Sequence, residues 1–130
     1  MLDIKKLLTK ILQHIQPIGT IVSGTNSTTI SVPKSSKTNT TSVTLSAGKW
    51  LLVFQAALNI PAGTQYQATI TTTYDISAEQ IMAGVGGISR LNMVAILNLG
   101  SQTTVYGTMY QNSNSAITVN TNTLNAIRII

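Results

Sequence analysis

Cysteine is absent from this chain of 130 residues, so no disulfide can crosslink its fold. Histidine occurs once, as His14, and only three residues are acidic. Metal centres and acid–base catalysis need clusters of such side chains, and the nearest pair of carboxylates here is Asp75 with Glu79. The composition therefore predicts a protein that is not an enzyme and that holds no metal and no cofactor.

Charge is scarce as well, because 8% of the residues are charged against about a quarter in typical soluble domains. Threonine, serine, asparagine and glutamine together fill 50 positions, which predicts a surface of hydroxyl and amide groups and suits β-strands. The net charge of +5 reflects the shortage of acids, since no window of five residues contains more than two lysines or arginines. Binding along a phosphate backbone needs clustered basic residues, so we do not expect nucleic acid to be a partner.

The N-terminal segment has no apolar run long enough to cross a membrane. Lys5, Lys6 and Lys10 also interrupt any stretch that would serve as the apolar region of a signal peptide. Between Ile4 and Ile15 the apolar residues instead recur at helical spacing, which predicts an amphipathic helix that ends before Pro17.

Four residues of this helix follow the four-three-four spacing of a heptad seam: Ile4, Leu8, Ile11 and Ile15. A helix of this length is marginal alone in water, so its apolar stripe needs a partner surface. Oligomerisation or docking on another protein is the favoured interpretation. Packing on its own domain and lying on a membrane surface are the alternatives.

The stretch from Ser46 to Leu58 is predicted to be the strand around which the domain is organised. Its alternation puts one apolar set on each face: Trp50, Leu52, Phe54, Ala56 and Leu58 on the first, and Leu51, Val53 and Ala57 on the second. Both faces are thus expected to be covered. This pattern predicts a central strand, entered through a tight corner at Gly48.

Further short strands follow along the chain. Residues 66–74 are predicted to form a half-buried strand with glutamine and threonine on a wet face, and residues 91–99 a second central strand. The apolar end from residue 124 to 130 predicts a last strand inside a sheet. Two segments stay open: residues 18–26 are either a linker or a short first strand, and residues 77–82 either a helical turn or a strand.

About eight short strands with glycine and asparagine turns predict an all-β fold, an antiparallel β-sandwich with a jelly roll as the first choice. The short amphipathic helix precedes it. We expect residues 1–16 to form the oligomerisation or docking helix, residues 17–27 a linker, and residues 28–130 the sandwich domain.

Three motifs carry a resemblance to a known family: Ser46–Val53, Thr103–Tyr106 and Leu124–Ile129. They resemble the C-terminal head modules of bacteriophage tail-fibre and receptor-binding proteins, which are similar to the trimeric jelly rolls of tumour necrosis factor and C1q. The resemblance implies a homotrimer in a virion, folded in the host cytoplasm, whose N-terminal helix docks on other virion proteins. In such a trimer Leu51 and Val53 are expected at the oligomer interface, together with the heptad seam.

The resemblance also implies attachment to a host cell-surface glycan. Sugar sites combine an aromatic platform with amide, hydroxyl and charged groups around it. The candidate glycan-binding residues are the tyrosines and the strongest polar partners: Tyr66, Tyr74, Asp75, Glu79, Arg90, Tyr106 and Tyr110. The alternatives are a purely structural virion protein of a baseplate, tail or capsid decoration, which binds only other phage proteins, and a bacterial surface or spore-coat protein with the same fold.

Overall fold

A computed structural model describes residues 3–8, 16–72, 80–85, 88–114 and 116–130. Apart from a helix over residues 4–8, the regular structure in these ranges is β-strand, which confirms the predicted all-β fold. The strands are β1 (Ile21–Asn26), β2 (Ile30–Val32), β3 (Thr38–Leu45), β4 (Gly48–Ile60), β5 (Gln65–Thr71), β6 (Gln80–Val85), β7 (Ile88–Leu99), β8 (Thr103–Gln111) and β9 (Ile117–Arg128).

These strands form two antiparallel sheets. The first sheet has the order β1-β9-β4-β7, with β2 also paired to β9, and the second sheet has the order β3-β8-β5-β6. Strands from the two ends of the chain pair with each other, and the strands between them pair in the same way toward the middle of the chain. Thus β1 and β2 pair with β9, β3 with β8, β4 with β7 and β5 with β6. This nested pairing, divided between two layers, is the jelly-roll arrangement that the sequence predicted.

The predicted organising strand, β4, is central in the first sheet, with β7 on one side and β9 on the other. Trp50 and Phe54 are fully buried between the sheets, whereas Leu51 and Val53 lie on the outward face and are half-buried. The indole Nε1 of Trp50 donates a hydrogen bond of 3.0 Å to the carbonyl oxygen of Ser46. The largest core side chain therefore has its polar atom paired.

At the edge of the first sheet lies β7, although the sequence predicted a second central strand there. Among the described strands it pairs with β4 alone. Its outward residues Val94 and Ile96 are 60% and 51% exposed, while Leu91 and Met93 are buried. The prediction was wrong because apolar residues on both faces indicate only whether those faces are covered. They do not indicate whether both edges of the strand pair with neighbouring strands.

Strands occur in both segments that the sequence left open, 18–26 and 77–82, of which residues 77–79 lie outside the described residues. Residues 21–26 form β1, which pairs in register with β9, so the first strand lies inside the range predicted as a linker. Residues 80–85 form β6 beside β5. The last strand runs from Ile117 to Arg128 and lies between β1 and β4, within the sheet as expected.

The corner into β4 requires glycine at position 48. Gly48 has a φ of +143°, which L side chains rarely adopt. A Cβ atom at this position would also lie 2.6 Å from Nε of Arg128. The predicted corner is confirmed, and the close approach of the last strand is a second reason for the glycine.

Gly24 allows β1 to approach β3. A Cβ atom on Gly24 would lie 2.2 Å from the carbonyl oxygen of Ser42, and the hydroxyl of Thr41 donates to the Gly24 carbonyl oxygen at 3.1 Å. We expect Gly24→Ala to displace β1 and to lower the free energy of unfolding by about 1–3 kcal/mol, measured by urea denaturation.

Gly100→Ala is the matched control for that substitution, because a Cβ atom at Gly100 meets nothing within 4 Å. It should change the free energy of unfolding by less than about 0.5 kcal/mol. Equal losses for Gly24→Ala and Gly100→Ala would contradict the importance of the contact between β1 and β3.

Candidate binding surfaces

The outward face of the first sheet carries a continuous strip of aliphatic side chains. One row of residues in register crosses β1, β9, β4 and β7 and is aliphatic throughout: Ile21, Ile127, Leu51 and Ile96. The adjacent row contributes Val53 and Val94, which are also paired in register. These six residues are called the aliphatic patch below.

The aliphatic patch is open to solvent in the single chain. Ile21 is 68% exposed, and Val94 and Ile96 are exposed as well. A shallow groove of about 290 Å³ lies on the β1 side of the patch, lined in part by Leu51 and Val53. Both rows lack charged side chains. Contiguous apolar surface of this kind is typical of an interaction site.

The same face becomes polar toward its other end. The third row contains only hydroxyl and amide side chains: Thr25, Thr123, Gln55 and Asn92. Beyond that row Arg90 stands opposite Ala57, and these two residues line a second groove of about 340 Å³. The face therefore has an aliphatic end and a polar end, and the polar end carries an arginine.

On the other side of the sandwich, the outward face of the second sheet carries two of the tyrosines. Tyr106 and Tyr110 of β8 are half-buried. Tyr106 stands opposite Ser42 of β3, and Tyr110 stands opposite Gln67 of β5. This arrangement surrounds two aromatic rings with hydroxyl and amide groups.

Three buried oxygens on this second face have no hydrogen-bond partner among the described residues: Asn39 Oδ1, Gln67 Oε1 and Thr69 Oγ1. Thr69 and Thr71 are each 1% exposed, so the prediction of a wet face for β5 was wrong at these positions. In register, Thr69 stands between Thr108 of β8 and Ile81 of β6, and Thr71 stands opposite Tyr106 of β8. Gln67, which stands opposite Tyr110, therefore has an amide oxygen that no described residue uses as a hydrogen-bond acceptor.

The structure separates the candidate glycan-binding residues. Tyr106 and Tyr110 share the outward face of the second sheet, whereas Arg90 lies on the outward face of the first sheet. Tyr66 is 6% exposed and belongs to the core. Three further candidates lie outside the described residues: Tyr74, Asp75 and Glu79. Among the described candidates, only the two tyrosines of β8 are brought together.

The chain before β1 is anchored at the aliphatic end of the sandwich. The backbone N–H of Gln16 donates to Ser46 Oγ at 3.3 Å, and Gln16 Oε1 accepts from the backbone N–H of Ser46 at 2.7 Å. Arg128 donates from Nη1 to the carbonyl oxygen of Gln16 and from Nε to that of Ile130. Gln16 is therefore held beside the corner that begins β4.

Half of the predicted heptad seam lies in the described part of the chain. Ile4 and Leu8 belong to the helix over residues 4–8 and are 72% and 53% exposed. Ile11 and Ile15 lie outside the described residues. The described half of the seam presents apolar surface that could contact a partner.

The described ranges contain no group of three His, Cys, Asp or Glu residues placed to hold a metal ion. Within the same ranges, no helix is long and apolar enough to cross a membrane. The candidate sites are therefore surfaces: the aliphatic patch, the groove beside Arg90, and the tyrosine-bearing face of the second sheet.

Sequence reasoning identified two members of the aliphatic patch, Leu51 and Val53, and missed the other four. Val94 and Ile96 gave a signal, because their strand is apolar on both faces. Ile21 and Ile127 gave only a weak signal, since nothing in their local sequence indicates which face of the sheet they occupy. The six residues lie side by side only because of the register in which the strands pair, and this register cannot be read from any one strand.

Comparisons with known proteins bear on the fold. No protein-family model matches the chain, and no curated protein matches it in sequence. Among solved structures, it is similar to one described as "Bacillus endospore appendages form a novel family of disulfide-linked pili", with a TM-score of 0.51 and 10% sequence identity. The match covers 88% of this chain and 94% of that one. At this identity the likeness shows a shared fold only.

Proposed function

We propose that this protein is a non-enzymatic attachment module of a phage virion, a homotrimer whose copies associate through the aliphatic patch. The observation that carries the proposal is the row of Ile21, Ile127, Leu51 and Ile96, which is aliphatic across β1, β9, β4 and β7. Burying apolar surface is favourable by about 25 cal/mol per Å². Association with a second apolar surface, which would bury the aliphatic patch, is therefore favourable.

The partner that fits the patch best is another copy of the same chain. Each row that crosses the sheet has its own chemistry, from aliphatic at one end to hydroxyl and amide further along. A rotation axis parallel to the strands would bring each row against the same row of the next copy. The aliphatic row would then meet the aliphatic row of the next copy. In the adjacent row Val53 and Val94 are in register with Ser23 and Asn125, and neither row contains a charge that would meet its like. The number of three copies comes from the resemblance to trimeric fibre heads.

The same resemblance supplies the setting, a virion protein folded in the host cytoplasm. Ile4 and Leu8 are exposed on the N-terminal helix and offer apolar contacts to other virion proteins or to sister helices. Gln16 is anchored at the end of the sandwich where the aliphatic patch lies. The helix and the patch can therefore serve one assembly.

A trimer of this kind leaves the second sheet facing outward, and Tyr106 and Tyr110 are then the platforms for a host surface glycan. An aromatic ring packs on the apolar side of a sugar, and neighbouring polar groups bond its hydroxyls. Ser42 and Gln67 stand beside the two rings in register. Tyr66, which is buried, is not part of this proposed site.

Light scattering on the unmodified protein tests the assembly. We expect a mass of three times 13.8 kDa. A mass of one chain would overturn the proposal, because the aliphatic patch would then persist without a partner surface.

Tyr106→Ala and Tyr110→Ala are each expected to weaken glycan binding by about tenfold, because each removes an aromatic platform. A glycan array and a host-cell pull-down measure this effect. Thr44→Ala is the control, since Thr44 is exposed on the same sheet and should not affect binding. An intact trimer that binds no glycan and no host cell would contradict the attachment role.

A bacterial surface or spore-coat protein with the same fold is the second candidate, and the likeness to a structure of Bacillus endospore appendages favours it. In this alternative the chain assembles with copies of itself into a surface filament. The solved neighbour is described as disulfide-linked, and this chain has no cysteine, so a filament built from it would depend on noncovalent contacts. Electron microscopy distinguishes the candidates, since attachment heads form discrete particles and filament subunits form extended polymers.

A further inference from the structure

Two β-bulges distort the polar end of the first sheet near Ala57. On the β7 side, the register of β4 shifts between Ala57 and Ile60. On the β9 side, it shifts between Ala56 and Leu58. Bulges are over-represented beside functional sites, where they redirect side chains. Two bulges at the same level of one strand therefore single out this end of the sheet.

The groove of about 340 Å³ lies at these bulges, on the outward face of the sheet. Ala57 lines it, and its small side chain leaves space between the neighbouring strands. Four uncharged polar side chains and one cation also line the groove: Gln55, Asn92, Thr121, Thr123 and Arg90. Each of these five side chains can donate a hydrogen bond.

Arg90 gives the groove its charge. Its side chain is exposed and makes no hydrogen bond or ion pair with any described residue. Among the described residues, the groove lining contains no carboxylate. A guanidinium group presents a planar set of N–H donors that matches the geometry of a carboxylate or a phosphate. The described lining thus combines one positive charge with neutral donors.

We propose that this groove binds an oxyanion, a carboxylate or phosphate group carried by a small hydrophilic ligand. Arg90 anchors the charged oxygens, and the amide and hydroxyl groups of the lining donate hydrogen bonds to them or to neighbouring oxygens of the ligand. Neutral donors in place of a second cation suit a ligand with one charged group and several hydroxyls.

This groove is distinct from the two surfaces of the proposed function. On β4, Gln55 of the groove is two residues from Val53 of the aliphatic patch, about 7 Å along the strand, and Ala57 is about 13 Å from Val53. Tyr106 and Tyr110 lie on the opposite side of the sandwich. The groove therefore shares no side chain with the aliphatic patch or with the two tyrosines.

An NMR titration of the ¹⁵N-labelled full chain tests the proposal with three probes: glucuronate, inorganic phosphate and glucose. We expect at least one of the two anions to shift the signals of Gln55, Asn92 and Thr123, and glucose to leave them unchanged. A response to glucuronate alone identifies a carboxylate ligand, and a response to phosphate alone identifies a phosphate ligand. No response to either anion at millimolar concentration overturns the proposal.

Arg90→Gln and Lys49→Gln each remove one positive charge from the same face. Lys49 stands opposite Asn98 at the aliphatic end and lies outside the groove. We expect Arg90→Gln to weaken anion binding by at least about tenfold and Lys49→Gln by less than about twofold. Equal losses would indicate attraction to net charge without a site and would overturn the proposal. Circular dichroism checks that both variants keep their β-structure.

Discussion

Leu51→Asp is expected to convert the protein from three associated copies into single folded chains. Leu51 lies inside the aliphatic row, between Ile127 and Ile96. Aspartate at this position would place one carboxylate per copy in the proposed apolar interface. Desolvating an unpaired carboxylate costs several kcal/mol, and the symmetry repeats that penalty in every copy. Light scattering measures the mass, and circular dichroism reports whether the sandwich remains folded.

Ser42→Asp is the matched control for this experiment. Ser42 is exposed on the outward face of the second sheet, so aspartate there adds the same charge outside the proposed interface. The mass of this variant should stay that of the unmodified protein. A Leu51→Asp variant that remains trimeric would show that the aliphatic patch is not the interface. An unfolded Leu51→Asp chain beside a folded control would assign Leu51 to the stability of the domain.

The two faces of β4 could be predicted from the sequence because alternation depends only on neighbouring residues of one strand. Trp50 and Phe54 are large aromatic residues for which burial is strongly favoured. Few charged residues are present to interrupt the alternation, so the assignment of residues to the two faces was clear at most positions. The corner at Gly48 was predictable for a similar local reason. Its contact with Arg128 was not, since that contact joins distant parts of the chain.

The aliphatic patch as a whole could not be predicted, because it depends on register. Which residue stands opposite Leu51 is set by loop lengths and bulges over the whole chain. A shift of one residue in β7 would turn Val94 and Ile96 into the core and expose Leu91 and its inward neighbours. The sequence therefore predicted the members of the aliphatic patch on one strand, Leu51 and Val53, and could not join them to those on the other strands.

The positions of the candidate glycan-binding residues relative to one another also could not be predicted from the sequence. The burial of Tyr66 follows from the alternation of its own strand, which places it on the same face as Ala68 and Ile70. The position of Arg90 relative to Tyr106 depends on which sheet each strand joins. Choosing residues by chemical type therefore grouped side chains that the two-layer fold places on opposite sides.

Because one side of β4 is buried in the core and the other faces outward, neighbouring residues of the strand should differ in their sensitivity to substitution. Phe54 is fully buried, and its ring packs so closely on β8 that a Cβ atom on Gly107 would lie 2.9 Å from it. Because Gly107 has no side chain to fill the space, Phe54→Ala leaves a cavity. We expect it to lower the free energy of unfolding by about 3–5 kcal/mol, a large part of the stability of a typical domain.

The control for Phe54→Ala is Gln55→Ala, the next residue along the strand, whose side chain is exposed on the outward face. It should change the free energy of unfolding by less than about 0.5 kcal/mol, although it removes one donor from the groove beside Arg90. Urea denaturation measures both variants at one protein concentration, because association adds stability that varies with concentration. Equal losses at these two positions would contradict the assignment of one face to the core and the other to binding. A large loss at Phe54 alone would mean that outward residues of β4 can change for binding while the inward residues keep the domain folded.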